Sequence, residues 1–402
     1  MLSAPAPGVV EYPSSSSLLP MNPITRLVHA GQELDAAYNS ITAPLYQTSV
    51  FRYEALGESK GYEYSRASNP TRHILESLIC DLEGGVGAVA CATGVATFTA
   101  VLAAFDGNIH IVVSHGCYGG AARLLGLMQE QGKLTFSFVD LNDLAAIEAA
   151  IRPQTQIIWA ESPTNPLLNI VDLTQLGQFC EQKKLTLIVD NTFMTPLLQR
   201  PFEFGADIVM HSTTKYINGH ADVISGVVVA RRKEQLKKIQ FAVKTYGLAA
   251  GPFDCWLTLR GSKTLPLRLR QHQENAAAVA AFLTKHEKVA ETYYPGLPNH
   301  PGHEIAKRQQ KGFGGVVSLK LKGGFAAAKA MANATKVFGI ADSLGGVEST
   351  ISHSATMSHA GMPKAQREIA GITDGVVRLS VGIEAIEDLL ADLVQALDQV
   401  PA

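Results

Sequence analysis

The sequence has little excess charge, few cysteines and no long apolar run, and each lack removes a class of function. Its 402 residues hold 34 Lys and Arg against 36 Asp and Glu, a formal net charge of −2. That balance leaves no electrostatic footprint for nucleic acid or a membrane surface. The five cysteines, Cys80, Cys91, Cys117, Cys180 and Cys255, are odd in number and lack C-x-x-C spacing. They argue against a disulfide framework or zinc ribbon and fit a reducing, cytoplasmic setting. No run approaches membrane-spanning length, and none follows a basic N-region as a signal peptide would. The G-x-x-x-x-G-K pattern is missing before Lys215, and no G-x-G-x-x-G follows the first strand, so a nucleotide reading has little support. His300 and His303, and His353 and His359, lack a third ligand at metal spacing, so they read as loop or structural residues and no metal is expected.

What is present is ordinary in bulk, with 46% apolar and 17% charged residues in a chain long enough for two domains. The opening "MLSAPAPGVVEYPSSSSLLP" is rich in Pro and Ser and reads as flexible. Short, nearly continuous apolar runs follow: "IHIVV" (109–113), "TFSFV" (135–139), "QIIWA" (156–160), "LTLIV" (185–189) and "ADIVM" (206–210). Helical stretches such as "TQLGQFCEQKK" (174–184) lie between some of them. Continuous apolarity suits strands buried on both faces, hence a mostly parallel α/β sheet. Beyond residue 260, "ENAAAVAAFLTKHEKV" (274–289) and "AIEDLLADLVQALDQV" (385–400) read as amphipathic helices, with "GGVVSLKL" (314–321) a strand between them. In the second helix Leu389, Leu390, Leu393, Val394 and Leu397 are expected to share one face. The expectation is a large α/β domain followed by a smaller α+β domain.

Ligands of open α/β sheets bind beyond the carboxyl ends of the strands. Five polar clusters stand there: "CATGVAT" (91–97), "SHGCYGG" (114–120), "ESPTNP" (161–166), "DNT" (190–192) and "HSTTK" (211–215). A lysine such as Lys215, buried at a strand end, has its pKa lowered and offers a neutral amine able to condense with an aldehyde. "ATGVAT" offers backbone N–H groups at a helix start, a place for phosphate, with the Ser212 and Thr214 hydroxyls nearby. Tyr118 supplies a face for a flat ring. Asp190 supplies a carboxylate for a protonated ring nitrogen. Together these describe a site for pyridoxal 5′-phosphate.

The longer motifs "YEYSRASNPTR" (62–72), "ESPTNPLL" (161–168), "VDNTF" (189–193), "HSTTKYINGHAD" (211–222) and "SLGGVESTISHSATMSHAGM" (343–362) resemble the Cys/Met-metabolism group of pyridoxal-phosphate enzymes. The likeness runs from about residue 22 to the C-terminus, and "GHEIAKRQQKGFGG" (302–315) draws it closest to the cystathionine γ-synthases. The resemblance implies fold-type I: a large, mostly parallel seven-stranded sheet domain, a smaller C-terminal α+β domain and an N-terminal arm. It divides the chain into a flexible extension (1–21), an arm reaching the neighbouring subunit (22–65), a cofactor domain (66–260) and a C-terminal domain (261–402). It also implies a homotetramer, a dimer of dimers with shared active sites.

By the same resemblance Lys215 carries the cofactor and Asp190 meets its ring nitrogen. Tyr118 stacks on the ring and assists proton transfer, so Lys215 and Tyr118 are the expected catalytic residues. Gly94, Val95, Ser212 and Thr214 cradle the phosphate, with Thr192 beside them and Tyr64 and Arg66 arriving from the partner subunit. Asn165 lies near the cofactor's phenolic oxygen, Arg378 clamps the substrate α-carboxylate, and Ser354 lines the substrate side. The implied reaction is γ-replacement on an O-acyl-L-homoserine or related γ-activated amino acid by a thiol, through a vinylglycine-like intermediate. Alternatives are a γ- or β-lyase of the methionine or cystathionine type, or a specialised enzyme with a non-thiol nucleophile. Two departures bear on the substrate. Ala67 stands where the synthases tend to carry a second arginine, with Arg123 left as a partial substitute, and Asp342 stands where Glu is usual.

Overall fold

The computed structural model describes residues 21–401 apart from Glu33, Leu34, Ala36 and Pro363. The expected flexible extension therefore lies, but for Met21, outside the described residues. Seven strands form the larger sheet: β1 (Gly87–Cys91), β2 (Ile109–Ser114), β3 (Leu134–Val139), β4 (Thr155–Glu161), β5 (Thr186–Asp190), β6 (Ile208–His211) and β7 (Gly226–Ala230). Their order is β1-β7-β6-β5-β4-β2-β3, with only β7 running antiparallel to its neighbours. The carboxyl ends of the other six therefore share one edge.

The continuous apolar runs have a simple cause. Successive strand residues point to opposite faces, and both faces are covered. Leu187 and Val189 of β5 join one core with Leu75 and Ile79 of the helix Pro70–Glu83. Ile188 between them joins a second core with Phe98 and Val101 of the helix Gly94–Leu102. Trp159 of β4 stacks flat on Phe98 with 4.4 Å between ring centroids, closing that second core.

Five shorter strands, β8 (Val289–Tyr293), β9 (Val316–Leu321), β10 (Gly339–Ile340), β11 (Thr350–His353) and β12 (Val376–Ser380), form a second sheet in the order β10-β11-β12-β9-β8. Its core joins Val317, Leu319 and Leu379 to the helices Leu265–Leu283, Gly324–Ala334 and Ile386–Asp398. Two sequence expectations need correction here. The helix expected over 274–289 starts at Leu265 and ends at Leu283, because the polar run 284–288 turns back and Val289 pairs with Leu321. In the last helix Val394 faces solvent; the buried stripe is Leu389, Asp392, Leu393, Ala396 and Leu397, the i, i+3, i+4 pattern of a helix lying on a sheet.

Before the first sheet, the helix Pro23–His29 seats Leu27 in the core, and residues 44–66 then run mostly exposed. Asn69 ties this segment down by donating from Nδ2 to Tyr46 O at 3.0 Å.

Asp392 is the polar member of the buried stripe, and it shapes the segment that carries Asp342 towards the larger sheet. Its carboxylate accepts from the amides of Lys336, Val337 and Phe338 at 2.8, 2.8 and 3.0 Å. Burial opposes the charge, but these amides and Gln395 outweigh it and hold the carboxyl below its ordinary range. The stability it adds is thus present above the ordinary carboxyl pKa and lost as pH falls through the lowered one. Asp392→Ala is expected to cost about 2 kcal/mol in urea denaturation at neutral pH, with the deficit narrowing on acidification. An equal deficit at all pH values would remove the charged role.

Candidate active site

The shared edge of the larger sheet gathers all five polar clusters, each beginning on the last residue of its strand, β1, β2, β4, β5 or β6. Glu161 ends β4 and Asp190 ends β5, and the two are paired side by side in the ladder. Glu161 is fully committed: Oε2 accepts from the Tyr118 amide at 2.7 Å and Oε1 from the Asn165 amide at 3.1 Å. Burial and then the neighbouring Asp190 charge push the Glu161 carboxyl well above its usual range. Asp190 is raised as well, first by burial, against the hydrogen bonds of Thr192 and the charges of His211 and Lys215. Thr192 donates to Asp190 Oδ1 from its amide at 3.0 Å and from its hydroxyl at 2.5 Å, and its Oγ1 accepts from the Ser212 amide at 2.8 Å. Thr192 thus orients Asp190 and joins the ends of β5 and β6.

Lys215 stands on the loop after β6, partly buried, with Nζ donating to Ser343 Oγ at 2.8 Å. Burial, and then Arg378, lower its pKa to about 8, against the pull of Asp342 and Asp190. Its backbone is anchored from the C-terminal half: Arg268 donates to the carbonyls of Tyr216 at 2.7 Å, Ile217 at 3.2 Å and Gly261 at 2.9 Å. Arg378 leaves the centre of β12 fully buried, its pKa lowered by that burial. It donates Nη1 to Asn165 Oδ1 at 2.8 Å and Nη2 to Ser343 O at 2.6 Å, while Nε has no hydrogen-bond partner among the described residues. Ser354, also buried, has an equally unpartnered hydroxyl.

The helix Gly94–Leu102 starts beside this group. Thr93 caps it by accepting the Ala96 amide at 2.8 Å, and the first amides, those of Gly94 and Val95, have no intrahelical carbonyl to meet. A Cβ on Gly94 would lie 2.8 Å from Ser212 Oγ, so only glycine lets the helix end and that hydroxyl share one small space. Thr214 also braces the loop of Lys215, its hydroxyl donating to Ser225 O at 3.1 Å and accepting the Ser225 amide at 3.0 Å.

Tyr118 is 41% exposed, its phenol raised by burial and Asp342 and lowered by Arg123. Asp342 is itself exposed, and its charge reaches Tyr118, Lys215 and Arg378 together, which puts it at the rim of the site. Tyr64, Arg66 and Ala67 are not brought in. They are exposed, with Arg66 Nη1 donating to Lys244 O at 2.8 Å and its guanidinium 5.5 Å from the Tyr64 ring centre. Among the described residues no hydrogen bond joins them to Lys215 or Ser212. Sequence reasoning missed Glu161 and Ser343. Glu161 opens the quoted "ESPTNP" and Ser343 follows Asp342, so both were in view without a role. His359 is buried at the same place, its pKa lowered to about 4 by burial and Arg378.

A lysine held near neutrality, a carboxylate behind it, a glycine-lined helix start with a free hydroxyl and a buried guanidinium fit a flat, phosphorylated aldehyde and an amino-acid carboxylate. The comparisons agree. The profile of the Cys/Met metabolism PLP-dependent enzymes matches residues 24–398. A cystathionine β-lyase of Lactococcus lactis is 45% identical over 375 residues, covering 93% of this chain and 98% of its own. A cystathionine γ-synthase of Mycobacterium tuberculosis is 46% identical over 377 residues, covering 93% and 96%. The crystal structure of cystathionine γ-synthase from Xanthomonas oryzae pv. oryzae in complex with aminoacrylate and cysteine superposes with a TM-score of 0.93 at 44% identity, covering 95% of this chain and 99% of that one. The chain belongs to the Cys/Met metabolism PLP-dependent enzymes. It is a pyridoxal-phosphate enzyme of the trans-sulfuration kind, of fold-type I, acting on an amino-acid substrate.

The lowered pKa of Lys215 has a measurable sign. Only the neutral amine attacks an aldehyde, and its fraction rises with pH. Capture of pyridoxal phosphate by the apoprotein, followed by visible absorbance, is expected to accelerate with pH, to be half-maximal near 8 and to level off above it. A midpoint near the ordinary lysine value of about 10.4 would mean that burial does not tune this amine.

Proposed function

We propose that this enzyme catalyses γ-replacement, joining an O-acyl-L-homoserine or a related γ-activated amino acid to a thiol. The observation that carries this reading is the exposed Asp342 at the rim, opposite in sign to Arg378 and within reach of Tyr118 and Lys215. A carboxylate there suits the ammonium group of an incoming amino-thiol, while Arg378 holds the first substrate's α-carboxylate. The lyase reading rests on a different observation: a β-lyase and a γ-synthase are similar to this chain at nearly equal identity.

When bound, pyridoxal phosphate serves as the electron sink for charge developed on the substrate. The chain's own groups do the rest. Gly94, Val95 and Ser212 hold the phosphate, Asp190 the ring nitrogen, and Tyr118 covers the ring face. Thr214 joins them at the phosphate, and its bonds to Ser225 steady the loop beneath. The neutral Lys215 amine, aimed by Ser343, takes a proton from the substrate's α-carbon and returns it where bond-making ends. Tyr118, whose hydroxyl stays protonated because burial and Asp342 raise its pKa, moves protons at the outer side. Asn165 keeps Arg378 in the plane that a carboxylate can grip bidentately, and Ser354 borders the substrate. Ala67, arriving with Tyr64 and Arg66 from a neighbouring subunit, leaves the leaving-group end without a guanidinium there, and Arg123, whose charge reaches Tyr118, is the partial substitute.

We assign Tyr64 and Arg66 to the phosphate of a neighbouring subunit, in a homotetramer built from dimers, with residues 22–65 as the exchanged arm. Their exposure, and the absence among the described residues of any hydrogen bond from them to Lys215 or Ser212, support that assignment. The five free thiols support a reducing, cytoplasmic setting.

A substrate panel separates the readings. O-acetyl-, O-succinyl- and O-phospho-homoserine are each offered with and without cysteine, and thioether product is measured against 2-oxobutanoate. Cysteine is expected to divert most turnover to thioether, with no advantage for the succinyl ester. Ala67→Arg is expected to raise kcat/KM for that ester about tenfold. Undiminished 2-oxobutanoate in the presence of cysteine would decide for γ-elimination.

A further inference from the structure

The strand ends that face the cofactor also have a back, and there they meet one carboxylate. Along β5 and β6, Val189 and Val209 join the core beneath the helix Pro70–Glu83, whereas Ile188 and Met210 join the opposite core. Asn191 and His211 continue this alternation towards the helix. Glu83, its last residue, accepts at Oε1 from Asn191 Nδ2 at 2.9 Å and from His211 Nε2 at 2.6 Å, and the Glu83 and His211 side chains have no exposed area. Asn191 directly follows Asp190, and His211 directly precedes Ser212. One buried oxygen thus pins from behind the two residues whose neighbours face the cofactor.

The network extends into the C-terminal half through the segment "RQQ" (308–310), which no chemical step uses. Asn191 Oδ1 accepts from Gln199 Nε2 at 3.0 Å, and Gln199 Oε1 accepts from Gln310 Nε2 at 2.9 Å. Gln309 Nε2 donates to Val171 O at 2.9 Å, and Arg308 pairs with Asp172 at 2.5 Å. Burying a carboxylate is costly, and here Glu83 Oε2 and His211 Nδ1 have no hydrogen-bond partner among the described residues. Apolar side chains would fill this space at lower cost. What they could not do is set a directional spacing between two strand ends.

We propose that Glu83 is a positioning residue: through Asn191 and His211 it holds Asp190 and Ser212 at the separation that the cofactor's ring nitrogen and phosphate require. The inference rests on the assignment of Asp190 and Ser212 made above. The full-length protein and its Glu83→Ala, Glu83→Gln, Asn191→Ala and Asp190→Ala variants are compared by three measurements. These are the Kd for pyridoxal phosphate, the visible circular dichroism of the bound cofactor, and the melting temperatures of apo and holo forms. Glu83→Ala and Asn191→Ala are expected to weaken cofactor binding about tenfold, change the dichroic band and narrow the holo–apo melting gap. Glu83→Gln, which keeps an accepting oxygen, is expected to stay within about threefold of the parent. Equal loss of apo and holo stability with unchanged Kd and band would reduce Glu83 to packing and overturn the proposal. Should Glu83→Ala not fold, Asn191→Ala alone decides between the same two results. If Asp190→Ala leaves Kd and band unchanged, the assignment of Asp190 fails, and the proposal with it.

Discussion

One run of hydrogen bonds joins the two halves of the molecule at the site, and the rest of the arrangement hangs on it. The Glu161 carboxylate holds the amides of Tyr118 and Asn165; Asn165 holds Arg378; Arg378 holds the Ser343 carbonyl; and the Ser343 hydroxyl receives Lys215. Glu161 and Lys215 belong to the large sheet's edge, whereas Arg378 and Ser343 come from the C-terminal half. A shift of either half therefore changes the orientation of the amine and the guanidinium together.

The electrostatics follow from that convergence. Two carboxylates end adjacent strands; burial raises both, and the Asp190 charge raises Glu161 further. Two cations face them, and burial lowers both. Desolvation moves the pKa of each group towards its neutral form, and neighbours partly reverse the shift. Lys215, at about 8, exchanges protons near neutral pH, and the carboxylates and guanidinium around it suit a ligand that carries a positive ring nitrogen and negative carboxylates. Arg268, its pKa lowered to about 10 by burial, keeps the backbone of the Lys215 loop in place from outside the site.

Much of the fold was legible because burial on both faces writes itself into composition. The runs at 109–113, 135–139, 156–160, 185–189 and 206–210 all fall on strands of the large sheet, within a residue or two at their ends. The misses came where partners, not patterns, decide. Val394 looked equivalent to its apolar neighbours, yet the sheet takes Asp392 instead, since Asp392 can satisfy three amides at the helix's inner edge. The helix expected to reach 289 stops at Leu283 because strand pairing claims Val289.

By itself the sequence determined the chemistry. A lysine after a buried strand, an acid ending the strand before it and a glycine helix start identify the cofactor, because reactive groups sit at strand ends and strands announce themselves by apolarity. Tertiary structure alone decided which groups those residues depend on. Glu161 and Asp190 lie 29 positions apart, and Arg378 lies 213 from Asn165, yet each pair is joined in one buried space. Hydrogen bonds across such separations leave no periodic trace in a chain. They exist only once desolvation has made an unpaired polar group too costly to leave alone.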